Sequence, residues 1–137
     1  MTNTELINRT REIAQELVNG KDLDQRLWDL GFQTSQGAWN SDYLISKGKF
    51  TQEAVDIVEE QDDLREELFF MYDELVYNNA EQMAIEPEKF GYTKEHIEEM
   101  TEEEIFECAC SDCGDWVYPA FQNFIVYCVQ IALEEKN

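Results

Sequence analysis

Across 137 residues, 31 aspartates and glutamates outnumber 10 lysines and arginines, which leaves a net charge of −21 at pH 7. Hydrophobic residues still make up 43% and aromatics 12%, enough to build a core, which excludes a disordered polyanion and fits one domain of ordinary size. The same charge argues against direct binding to DNA, RNA or an anionic membrane, all of which attract lysine and arginine.

Taken in chain order, Leu6, Thr10, Ile13, Ala14, Leu17 and Val18 recur at helical spacing, with Thr2 and Glu5 as a capping box and Gly20 as the residue that closes the helix. A short helix follows from Asp22 to Leu30 and stops at Gly31. Residues 32–50 carry glycines and polar residues around Trp39, Tyr43, Leu44 and Ile45, a pattern compatible with a loop, a one-turn helix or a small hairpin. From Thr51 to Met83 no proline or glycine interrupts a helical pattern, either one helix or two joined near Gln61, and Pro87 ends it. Thr93 and Thr101 are N-cap candidates, the second paired with Glu104 in capping-box spacing. The last helical region, Thr101 to Glu135, contains Pro119, which kinks it or opens a separate helix. Its apolar stripe is Phe121, Phe124, Ile125, Cys128, Val129 and Ala132. The expected fold is all-α or nearly so: one compact to elongated domain over residues 1–137 with five to seven helices and the last long helix kinked at Pro119.

Charge divides that domain. Residues 1–50 hold seven acids and six bases, whereas residues 51–137 hold twenty-four acids against Arg65, Lys89, Lys94 and Lys136. The expectation is a near-neutral N-terminal helical module at 1–50 and a strongly acidic helical core at 51–137, with the excess on a localised binding face. The opening segment MTNTELINRTREIAQEL has no apolar stretch of the signal-peptide kind, and no run is long enough to span a bilayer, so a cytoplasmic location is expected, in the host cell if the protein is phage-encoded. In that compartment Cys108, Cys110, Cys113 and Cys128 are thiols. Only Cys110 and Cys113 have zinc-pair spacing, while Cys128 stands alone on an apolar stripe, so core packing is favoured over a metal centre. Asp112 and Asp115 form a bare acidic pair, and no calcium loop accompanies them. The sole histidine, His96, has no nucleophile at motif spacing, and no phosphate loop, HExxH or GxSxG occurs. No enzyme activity, cofactor or metal is expected.

The carboxylates are more informative. If one helix runs through Thr101, Glu95, Glu98, Glu99, Glu102, Glu103, Glu104 and Glu107 occupy about 18 Å, near one charge per 3 Å, against about 3.4 Å per phosphate along a DNA strand. A break at Thr101 splits that row. Residues 56–67 hold a second set, and two such rows would resemble two phosphate strands to a groove lined with lysine and arginine.

The run ACSDCGDWVYPAFQNFIVYCV, residues 109–129, resembles the kinked-helix segment of small acidic bacteriophage antirestriction proteins of the Ocr type, on Asp115, Pro119 and Phe121. That resemblance implies a DNA mimic that blocks a host restriction or CRISPR-type nuclease. The partner-binding surface expected is Glu59, Glu60, Asp62, Asp63, Glu66 and Glu67 with Glu95, Glu98, Glu99, Glu102, Glu103 and Glu104, supplemented by contacts from Trp39 and Tyr43. The expected partner is a basic DNA-binding protein, a nuclease or defence complex, with a homodimer as a further option. Two alternatives stand beside it: an acidic adaptor or antitoxin-like protein that neutralises a basic protein without mimicking DNA, and a small metal-binding domain built on Cys110 and Cys113.

Overall fold

The computed structural model describes residues 2–19, 23–34 and 37–136, with the side chains of Asp115, Trp116 and Lys136 outside that description. The expectations for Gly20, for Asp22 as a helix start and for the Asp115 carboxylate therefore fall outside it.

Helix α1 (Asn3–Val18) begins where Thr2 Oγ1 accepts the Glu5 N–H at 3.2 Å, and it buries Leu6, Thr10, Ile13 and Ala14 along one stripe. After α2 (Leu23–Asp29), Gly31 turns the chain with φ 79°, a left-handed conformation that glycine adopts at little cost. Its N–H bonds the Trp28 carbonyl and the Phe32 N–H bonds that of Leu27, a Schellman closure that drives Phe32 inward. The segment 32–50 holds both a hairpin and a helix. Strands β1 (Gln33–Thr34) and β2 (Gly37–Ala38) pair antiparallel, Gln33 opposite Ala38 and Thr34 opposite Gly37, and α3 (Ser41–Ser46) follows behind an Asn40 cap. A second Schellman turn at Gly48 sends Phe50 into the core.

The pattern from Thr51 resolves into α4 (Gln52–Glu60) and α5 (Asp62–Ile85), which meet at Gln61, whose ψ of 85° interrupts the helix. A 3-10 turn at Pro87–Phe90 leads to α6 (Lys94–Glu98) and α7 (Glu102–Trp116), each started by its threonine cap. Helix α8 (Tyr118–Lys136) carries Pro119 in its first turn, where a missing N–H leaves no bond unmade. The described residues thus hold eight α-helices where five to seven were expected; α3, in the segment left open between loop, one-turn helix and hairpin, takes the number past seven. The mostly helical class is as expected, with the hairpin as its only sheet among the described residues.

Helix α8 is the axis of the packing. Ala120, Phe121, Phe124, Ile125, Val126, Cys128, Val129 and Ala132 are buried on nearly every side of it, because α1, α4, α5 and α7 lie against it. Buried side chains from Leu6 to Ala132 join in one cluster. Among the described residues, no helix is long and apolar enough to cross a membrane.

Candidate functional site: the acidic surface

All twelve acids expected on the surface are exposed. Their local placement follows helix chemistry: Asp62 and Asp63 lie in the first turn of α5, Glu95 in that of α6, and Glu102, Glu103 and Glu104 in that of α7, where the positive end of the helix dipole favours them. Three already have local partners. Asp62 pairs with Arg65, Glu67 with Arg11 of α1, and Glu104 accepts the Thr101 N–H at 3.3 Å to close its capping box. Among the described residues the other nine enter no ion pair.

The row from Glu95 to Glu107 is not one helix. Thr101, with φ −76° and ψ 163°, separates α6 from α7, and its full capping box holds that break. The two acidic sets also do not flank each other as two strands. Tyr72 meets Tyr118, Tyr77 meets Phe106 at 4.8 Å, and Ala84 shares a groove with Glu102, so α7 runs antiparallel to α5. The acidic start of α7 consequently sits at the far end of α5 from Asp62 and Asp63.

Sequence reasoning missed what lies between them. Asp73, Glu74 and Glu81 are exposed, and at 100° per residue they project on the same side of α5 as Asp63, Glu66 and Glu67. The seven acids of α5 from Asp62 to Glu81 span about 28 Å, a mean step of roughly 5 Å, and Glu102 and Glu103 extend the line beyond Glu81. A helical projection of 62–85 contains this line, interrupted by Phe69, Phe70 and Tyr77. All three are exposed, Tyr77 by 61%.

The cysteines are separated by burial. Cys110 is exposed, Cys108 half-buried, and Cys113 and Cys128 buried. Burial pushes the Cys113 thiol up to about 11, against a smaller opposing effect from Asn79, whose amide lies 2.9 Å from Sγ; burial alone pushes Cys128 still higher. Among the described residues no group of three or more histidine, cysteine, aspartate or glutamate side chains is arranged to hold a metal ion.

Compared with protein-family models, curated proteins and solved structures, the chain matches none. A functional reading therefore rests on the surface itself.

In the near-neutral first fifty residues, Trp39 and Tyr43 stack with centroids 4.7 Å apart and planes 17° from parallel. Lys47 Nζ lies 5.6 Å from the Tyr43 ring centre. Both aromatics remain 41% exposed, so this pair is a surface feature beside the core.

Proposed function

We propose that the protein is a non-enzymatic inhibitor that occupies the DNA-binding groove of a basic protein in place of DNA, the target class being a nuclease of a bacterial defence system. The observation that carries this reading is the line of exposed carboxylates along α5, continued by Glu102 and Glu103. Its mean step of about 5 Å is of the same order as the 3.4 Å or so between phosphates of one strand, though wider, and a rigid helix presents it with little ordering cost on docking. The resemblance of residues 109–129 to the Ocr-type segment supports the same class. Glu59, Glu60, Glu95, Glu98 and Glu99 flank the line at its two ends and steer a basic partner from a distance.

The test begins with capture of the partner from a bacterial lysate and continues as competition. Labelled duplex DNA bound to that partner is displaced by the protein at low salt, and the displacement weakens steeply as salt rises. Neutralising the line by Asp63→Asn, Glu66→Gln, Glu74→Gln and Glu81→Gln together reduces affinity by roughly tenfold or more, with circular dichroism unchanged. A partner that binds the protein and duplex DNA simultaneously refutes mimicry.

The adaptor reading is favoured by a different observation: Phe70 and Tyr77 stand exposed in the same line, and a phosphate backbone has no counterpart to them. It predicts that Phe70→Ser with Tyr77→Ser weakens partner binding more than the four acid substitutions do, because buried aromatic anchors dominate protein interfaces.

A further inference from the structure

One groove differs from the rest of this surface. It lies between the end of α2, Trp39 just after β2, α3 with the turn that follows it, and α8, has a volume of about 600 Å³, and has aromatic walls from Phe32, Phe50 and Tyr127 as well as Trp39 and Tyr43. No carboxylate lines it, in a chain with 31 of them, whereas Lys47 and Lys49 stand at its edge. Among the described residues neither lysine forms an ion pair.

The groove is also built to keep its shape. Asn123 of α8, 4% exposed, donates from Nδ2 to the Trp39 carbonyl at 2.7 Å. Two turns further along α8, Gln130 donates to the Lys49 carbonyl at 2.9 Å and accepts the Thr51 N–H at 2.9 Å. The Schellman turns at Gly31 and Gly48 place Phe32 and Lys49 from the other side. A tryptophan whose backbone is held this way and whose ring already stacks on Tyr43 loses little freedom when a second ring stacks on it.

We propose that this groove binds a nucleoside monophosphate, with the base against the Trp39–Tyr43 pair and the phosphate at Lys47 and Lys49. Aromatic stacking accepts any base, since each has a π-face, and two unneutralised ammonium groups match one phosphate. The absence of carboxylates from the walls removes the repulsion that a phosphate meets elsewhere on this molecule. A longer strand carries more phosphates than the two lysines offset and meets a molecule of net charge −21, so the site selects a mononucleotide over a polynucleotide. This assignment is independent of the inhibitor reading, which concerns α5 and the start of α7.

The probe is AMP, titrated into the intact chain by calorimetry and ligand-observed NMR at low salt. Saturable one-to-one binding with a Kd of about 1 mM or tighter is expected, with adenosine and ribose 5-phosphate each weaker by roughly tenfold or more. Lys47→Gln with Lys49→Gln, exposed changes that leave the core intact, weaken AMP by about tenfold and leave adenosine unchanged. Trp39→Ala weakens both. The proposal is overturned by an absence of saturation with AMP, by binding indifferent to the lysine pair, or by an oligoadenylate strand of about ten nucleotides that binds more tightly than AMP.

Discussion

Burial sets the chemistry of the cysteines, residue by residue. In native buffer a thiol-alkylating reagent is expected to label Cys110 first and Cys108 more slowly, with Cys113 and Cys128 labelled only after unfolding; mass spectrometry of the peptides reads this order. Cys128 labelled as fast as Cys110 would contradict the packing of α8. Burial also links two groups to alkaline stability. It raises Cys113 from 9.0 to about 11 and Tyr72 from 10.0 to about 12, so the folded state holds both protons more tightly than the unfolded chain. Their contribution is complete below about pH 9 and declines as pH rises through the folded values, so denaturation midpoints should fall steadily between about pH 9 and 12. Thr10 gives a change of opposite sign. Its hydroxyl is fully buried with no hydrogen-bond partner among the described residues, and Thr10→Val, which keeps the shape and removes the stranded oxygen, should raise stability by about 1 kcal/mol in urea unfolding.

Among the helices, α1, α3, α4, α6 and α7 have their starts held by side chains. Thr101 and Glu104 satisfy each other's backbone N–H groups at the head of α7. Thr101→Ala should cost about 1 kcal/mol and speed amide exchange in the first turn of α7, while α8 stays protected. A loss spread evenly over α7 and α8 would mean that the two behave as one continuous helix. These caps were legible from sequence because each is a local pattern: a threonine, then a glutamate three residues on. The buried stripes of α1, α5 and α8 were legible for the same reason, since 3.6-residue spacing needs no knowledge of the neighbours. The Gln61 junction was only half legible. Val58, Gln61 and Leu64 continue the spacing across it, and no glycine or proline marks the break. The antiparallel course of α7 on α5 was not legible at all. It depends on contacts such as Tyr77 with Phe106, 29 positions apart, and it decides whether acids line up side by side or end to end. The aromatic groove was hidden likewise, because Asn123 and Gln130 lie more than 80 residues from the carbonyls they hold.

Over the whole molecule, charge opposes compaction, and the described cations that sit in ion pairs are few: Arg9, Arg11, Arg65 and Lys89. The remaining carboxylates repel one another over distances that salt can screen, since the Debye length falls from about 30 Å at 0.01 M to about 8 Å at 0.15 M. At pH 8, raising salt across that range should therefore stabilise the fold by about 1 kcal/mol or more, a rise in melting temperature of roughly 4 °C for a domain of this size. Acidification acts in the same direction at first, because protonation toward the isoelectric point near 4.1 removes the repulsion. One pair works against it at lower pH. Arg9 donates two hydrogen bonds of 2.7 Å to Glu135 and holds its carboxyl below the usual 4.5, so that pair stabilises the folded state above this value and is lost as pH falls through the lower one. The melting temperature at low salt should pass through a maximum between about pH 4 and 6, and the salt effect should shrink toward zero there. Scanning calorimetry over a grid of pH and salt reads both. A melting temperature at pH 8 that ignores salt would mean that the exposed carboxylates are already neutralised, by bound cations or by a second chain, and the surface would no longer be free to imitate a phosphate backbone.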